Sequence, residues 1–291
     1  MTPFTGWKGN GTSLRLVCLG AETIEHSAPY LIPRPAPRRF ATGRSVAALM
    51  LREMVTTYGR SPGGYLWAVL KPLAAIALLA FAFSLAFRAP SLGVSFPLFY
   101  ATGYLPYMLF HDVSAKTASA IRFSRPLLNF GAISWVDVLA ARFVLNVFTH
   151  LVVGALVIGA MLVFLNTRGV IDMPMVLLAL AMAVTLAAGV GVLNAFLFLA
   201  FPAWERIWLI LTRPLFIISG VFFLFEDVPS DIRDILWFNP LFHVTGQMRA
   251  GFYPTYDATY AAPLFVMGLG LGLLLLGLLL LSRHADGLIH K

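Results

Sequence analysis

Charge is what this chain has least of. Asp, Glu, Lys and Arg make up 12% of its 291 residues, about half the share of an average soluble domain. With 59% of residues hydrophobic, a large water-soluble core is excluded and a polytopic membrane protein is expected. Acids are scarcer than bases, 13 against 21, which leaves a formal net charge of +8. The basic residues are scattered around apolar runs, not gathered on one soluble face. They fit the positive-inside rule and attraction to anionic headgroups, so no nucleic-acid partner is expected. Cysteine is nearly absent. Cys18 alone cannot form an intramolecular disulfide, and no Cys/His grouping has zinc-ligand spacing, so no metal site is expected. There is no Gly-x-x-x-x-Gly-Lys-Ser/Thr loop, no His-Glu-x-x-His helix and no Gly-x-Ser-x-Gly turn. A chain without these parts hydrolyses no nucleotide by itself.

What is abundant is apolar sequence. A helix needs about 20 mostly apolar residues to cross a bilayer, and six segments meet that demand: about 68–88, 96–115, 138–165, 173–200, 207–225 and 262–282. The expected fold is an all-α integral membrane protein with six transmembrane helices. An even number puts both termini on one side. Arg34, Arg38, Arg39, Arg44, Arg52 and Arg60 precede the first span, Lys116, Arg122 and Arg125 follow the second, and Arg206 and Arg213 follow the fourth. On the other side Arg88 and Arg168 stand nearly alone, and Arg233 and Arg249 are set against Glu226, Asp227, Asp231, Asp234 and Asp257. Both termini are therefore expected in the cytoplasm.

Around the spans the chain divides further. Residues 1–43 read as a flexible, uncleaved cytoplasmic leader, broken by Pro29, Pro33, Pro35 and Pro37. Residues 44–66 combine an amphipathic interface helix with a membrane-entry corner. Ala47, Met50, Leu51 and Met54 form the helix's apolar side, opposite Arg52, Glu53 and Thr56. In the corner, Arg60 and Ser61 precede Pro62, Gly63 and Gly64, and Tyr65 and Trp67 suit the aromatic belt. The six-span domain covers 67–284 and a cytoplasmic tail covers 285–291. Between spans 5 and 6, residues 226–261 hold Trp237, Phe238, Phe242, Phe252, Tyr253, Tyr256 and Tyr260. So many aromatics predict a re-entrant helical hairpin, one short helix on each side of Asn239-Pro240, dipping into the outer leaflet.

Within the spans, Phe96, Tyr100, Tyr104, Tyr107 and His111 fall on one helical face. Two readings stand: tyrosine rings that stack on the apolar faces of a sliding sugar chain, or rings that simply pack between helices. Arg142, Asn146, Thr149 and His150 share a face of span 3 and should meet protein or water. A neutral His150 satisfied by a neighbouring helix is the favoured reading over a transport role. Gly268 and Gly272 form a small-x-x-x-small pair, read as close packing within one subunit. The basic loop Lys116–Trp135 is either a contact for an ATPase or merely topogenic.

The string Tyr58-Gly59-Arg60-Ser61-Pro62-Gly63-Gly64-Tyr65-Leu66-Trp67, continued by Lys71-Pro72-Leu73, resembles the start of the membrane subunit of ABC-2-type polysaccharide exporters, the capsule and O-antigen permeases. Arg213-Pro214-Leu215 through Phe223 resembles their fifth span, Asn239-Pro240-Leu241-Phe242-His243 with Arg249 their external hairpin, and Asp137 with Ala141-Arg142 the entry to their third span. Many members carry a carboxylate shortly after the Asn-Pro-Leu turn, where this chain reads Gly246-Gln247. The resemblance implies a permease without its own cofactor, pairing with a second copy of itself and with ABC ATPase subunits that hold ATP and Mg. The cargo would be a lipid-linked polysaccharide, most simply capsular, with membrane lipids and periplasmic export proteins as further partners. On the first reading of each, a substrate path is expected along Phe96, Tyr100, Tyr104, Tyr107 and His111, and ATPase coupling at Arg52, Lys116, Arg122 and Arg125. The external hairpin would use Trp237, Asn239, Pro240, His243, Arg249, Phe252 and Tyr253, and the entry motif Arg60, Ser61, Gly64 and Trp67. O-antigen, teichoic acid or small drugs remain alternative cargoes. A membrane-embedded enzyme acting on a lipid-linked sugar is the alternative of another class.

Overall fold

The computed structural model describes residues 41–58, 63–128, 133–164 and 171–289. The leader, apart from its last three residues, and Arg60 and Ser61 of the entry motif lie outside the described residues. Eleven helices and no strand occur among the described residues: α1 (Ala41–Tyr58), α2 (Gly64–Ala86), α3 (Phe96–Ala118), α4 (Ala120–Phe123), α5 (Arg125–Leu128), α6 (Trp135–Phe164), α7 (Met173–Ala200), α8 (Pro202–Ile217), α9 (Ser230–Trp237), α10 (Pro240–Phe252) and α11 (Pro263–Ile289). Four of these, α2, α6, α7 and α11, contain stretches long and apolar enough to cross a membrane.

At the centre is α7, packed most extensively on α11 and α3 and then on α10. The Asp172 carboxylate caps it by accepting from the Met175 amide at 3.3 Å, which satisfies one orphan donor of the first turn. It stops at Phe201-Pro202 because a residue before proline is pushed out of the helical region, and Phe201 is extended with φ −133°. Close approach of α11 rests on glycine: a Cβ on Gly189 would lie 2.1 Å from the Gly270 carbonyl oxygen, and one on Gly277 2.7 Å from the Leu193 nitrogen. The expected pair Gly268 and Gly272 does not do this work, since a Cβ at either would meet nothing. They lie on the outer face of α11, one residue or more out of register with the glycines that touch α7.

In α3, 14 of 23 residues are buried, although Asp112 and Lys116 keep it less apolar than the four helices above. A helix enclosed by protein need not match lipid on every side. It runs unbroken through Pro106. Helix α1 meets the rest of the protein along one side. Leu49 packs in the cluster around Ile121 and Leu139, and Glu53 reaches Arg142 of α6 at 2.8 Å. Ala47, Leu51 and Val55, spaced by four, are left exposed.

The largest departure is in the fifth apolar run. Helix α8 begins five residues earlier than expected and ends at Ile217, eight residues short of the expected 225. Beyond it Gly220 adopts φ +72°, a left-handed conformation that side chains with a Cβ rarely take. A Cβ there would also lie 2.7 Å from the Phe242 ring.

Candidate functional site: a broken helix, a buried hairpin and a polar cavity

The interruption after α8 leaves backbone carbonyls without helical partners, and those that are buried need a donor. Side chains of the following segment supply them. Asn239 Nδ2 donates to the Ile218 carbonyl at 2.7 Å and Thr245 Oγ1 to that of Ser219 at 3.1 Å. Arg249 Nη2 donates to Val221 and Nη1 to Phe223, both at 3.1 Å. Arg249 is 1% exposed, its guanidinium sits 4.2 Å from the centroid of Phe99 in α3, and its Nε has no partner among the described residues. Asn239 also caps α10, its Oδ1 accepting from the Leu241 amide at 3.1 Å, with Pro240 at the first helical position, where no amide is needed.

The two expected helices on either side of Asn239-Pro240 are α9 and α10. They differ in burial: α9 has no buried residue and α10 has 11 of 13. His243 joins the hairpin to α11. Its Nδ1 accepts from the Ala262 amide at 3.1 Å, so the ring proton sits on Nε2, which donates to the Trp237 carbonyl at 2.7 Å. Trp237 in turn stacks on Phe265 with centroids 5.3 Å apart. Phe252 and Tyr253 are buried with Leu98 and Val176. The glycine of Gly246-Gln247 has a local cause, because a Cβ at 246 would lie 2.2 Å from the Tyr260 hydroxyl.

The aromatic face of α3 does not line a single path within one chain. Phe96 and Tyr100 line a cavity of about 340 Å³ with Phe83, Phe222 and Asp227. Tyr104, Tyr107 and His111 line an open groove of about 430 Å³ with Arg213 and Phe216 of α8. Tyr100 and Tyr107 are themselves buried. Tyr100 packs on Phe83 at 5.2 Å, and Tyr107 on Phe216 at 5.1 Å with its hydroxyl donating to the Thr212 carbonyl at 3.4 Å. Tyr104 is half-buried and borders two cavities.

The second of these, about 470 Å³ between α2, α3 and α6, is the polar one. Trp67, Lys71, Tyr104, Asp112, Lys116 and His150 all line it, as does Gly64 at the start of α2. Asp112 holds its place with one oxygen accepting from His111 Nδ1 at 3.0 Å and the other from His150 Nε2 at 3.3 Å. His150 is thus met by a neighbouring helix, as expected. Its partner was not singled out from the sequence, although a lone acid inside the span-like run 96–118 is itself a signal. Lys116, assigned to the connecting loop, belongs to this cavity instead.

In the connection between α3 and α6, α4 sits between two ion pairs. Arg122 binds Glu205 of α8 through both oxygens, at 2.5 and 2.6 Å, and that carboxylate holds the guanidinium above its ordinary range. Phe123 lies 4.3 Å beneath Arg142, which pairs with Glu53 of α1 and reaches Ser119 Oγ at 3.4 Å. Arg125 Nη2 donates to the Leu288 carbonyl at the end of α11 at 2.9 Å. Arg52 is exposed. The connection therefore ties α1, α6, α8 and α11 together.

A set of helices with candidate spans, an α8 that stops short and a buried α10 capping the segment beyond it has the parts of a membrane permease. The match of residues 44–253 to the ABC-2 type transporter family settles the class: the chain belongs to that family. Three curated proteins extend the likeness over most of its length. It is 26% identical over 245 residues to the polysialic acid transport protein KpsM of Escherichia coli, covering 84% of this chain and 95% of that one. It is 29% identical over 250 residues to the capsule polysaccharide export inner-membrane protein CtrC of Neisseria meningitidis serogroup B, covering 84% and 92%. It is 28% identical over 250 residues, again 84% and 92%, to BexB of Haemophilus influenzae, which bears the same description.

Proposed function

We propose that this chain is the membrane-spanning subunit of an ATP-driven exporter that moves lipid-linked capsular polysaccharide across the bacterial inner membrane. The observation that carries this reading is the near end-to-end likeness to capsule exporters of three bacteria. ATP and Mg belong to a separate ABC ATPase, and two copies of this chain form the permease. Six crossings are made by α2, α3, α6, α7, α8 with its broken continuation, and α11, with α9 and α10 as a re-entrant hairpin and both termini in the cytoplasm. Satisfaction of the broken segment by Asn239, Thr245 and Arg249 supports membrane depth for the hairpin, because non-helical backbone survives there only against protein or a wet cavity.

In this reading α4 and its two ion pairs receive the ATPase's movement and pass it to α1, α6 and α8. The groove of Tyr104, Tyr107, His111 and Arg213 faces the second copy and holds sugar weakly. The test is surface polysaccharide in a capsulated host whose own permease gene is replaced by this one together with its neighbouring ATPase. Export restored by the pair, and abolished when the ATPase's P-loop lysine is replaced, is the expected result. Export that survives loss of ATP hydrolysis would overturn the reading.

A further inference from the structure

Two lysines line the cavity between α2, α3 and α6, and the carboxylates nearby balance only one of the two charges. Lys71 and Lys116 both line it, yet neither forms an ion pair or hydrogen bond among the described residues. The carboxylates within reach are already engaged. Asp112 accepts from His111 and His150, and Glu53 accepts from Arg142. The charges acting on one another around Lys116 are thus Lys116, Lys71 and Arg142 against Asp112 and Glu53, one cation in excess when the imidazoles are neutral. Like charges brought together in a partly dry site repel unless an anion joins them.

The rim of the cavity says what kind of anion. Trp67 of α2 lines the cavity and is 55% exposed, and beyond it the exposed apolar face of α2 continues through Leu78, Phe81 and Leu85. A small hydrophilic ion has no use for such a wall; an amphiphile does, with its acyl chains on α2 and its head inside. A volume of about 470 Å³ is within the range of small-ligand sites.

We propose that this cavity binds the phosphate-bearing headgroup of an anionic lipid, with Lys71 and Lys116 supplying the counter-charge and Trp67 and Tyr104 forming its walls. The proposal deepens the export reading and rests on it for the site's role, which is to hold the lipid end of the cargo beside the groove on the other side of Tyr104.

The test uses the full chain purified with its ATPase, without cargo or nucleotide, and incubated with phosphatidylglycerol and phosphatidylcholine of matched acyl chains. Retained lipid is counted by native mass spectrometry. Phosphatidylglycerol should be held preferentially, the pair Lys71→Gln and Lys116→Gln should cut its retention about tenfold, and Lys→Arg at both positions should keep it. If the double Gln variant fails to assemble, Lys71→Gln alone, on the exposed side of α2, should still reduce retention about threefold. Equal retention in wild type and Gln variants overturns the site. Displacement of the lipid by millimolar inorganic phosphate overturns the lipid and assigns the cavity to free phosphate; no displacement supports the lipid. Unchanged lipid retention beside lost export would sink this site and leave the export reading standing. Selective retention by a chain that exports nothing would do the reverse.

Discussion

Arg249 is a buried cation whose partners are carbonyls, not a carboxylate. Its planar fork lets Nη1 and Nη2 reach Phe223 and Val221 at once while the flat face rests on Phe99, a combination open to a guanidinium and not to an ammonium. Arg249→Lys should therefore behave as a disruptive change. Each carbonyl left without a donor costs about 1–3 kcal/mol, so the thermal midpoint of the purified complex should fall by several degrees. Arg249→Met, which leaves both carbonyls bare, should be worse still. A midpoint unchanged in Arg249→Lys would show that the broken segment does not depend on the fork. The sequence marked Arg249 and Asn239 as hairpin residues, but their targets were not legible. A carbonyl has no letter of its own, and the residues that offer it, Ile218 to Phe223, read as plain apolar helix. Asp112 was missed for a different reason: its partner His150 belongs to another helix, and only the fold brings it across from α6.

At the scale of elements, the length of apolar runs located the helices that lipid or protein surrounds evenly. The span expected at 173–200 is α7 residue for residue, and those expected at 138–165 and 262–282 correspond to α6 and α11. It failed at α8, where hydropathy continues for several residues after the helix stops, because composition scores transfer from water and not hydrogen-bond closure. It also misread the glycines of α11, since only the partner's position tells which side of a helix needs to be bare. The short α4 is where a change of element could be felt far away. The Arg122–Glu205 pair is partly exposed and adds about 0.2–1 kcal/mol at most, so breaking it should hardly affect stability. It links α4 to α8, however. Arg122→Glu and Glu205→Arg should each lower export and the complex's ATP hydrolysis several-fold, and the double swap should recover both. Recovery identifies a strut within the chain. Single variants that fail while the swap also fails would move Arg122 to a direct ATPase contact, and silent single variants would leave it merely topogenic.

For the whole molecule, the question is whether α8 and the broken segment together cross the membrane. Sixteen helical residues rise about 24 Å, short of a hydrocarbon core of about 30 Å. The six-span reading therefore needs residues 218–225 to complete the passage, with their carbonyls capped by the hairpin. Charge asymmetry points the same way, since Arg206 lies toward one end of the passage and Glu226, Asp227, Asp231 and Asp234 beyond the other. Ala203 and Asp231 are both exposed and flank the whole crossing, and with Cys18 replaced by Ser no other thiol interferes. Cells carrying either Ala203→Cys or Asp231→Cys are treated with a membrane-impermeant maleimide before and after permeabilisation. Asp231→Cys should label in intact cells and Ala203→Cys only after permeabilisation. The opposite pattern would invert the orientation and place α4 on the wrong side for an ATPase. Labelling of both sites from one side would mean that α8 turns back. That outcome would leave five crossings, put the termini on opposite sides, and remove the groove between α3 and α8 from any path through the membrane.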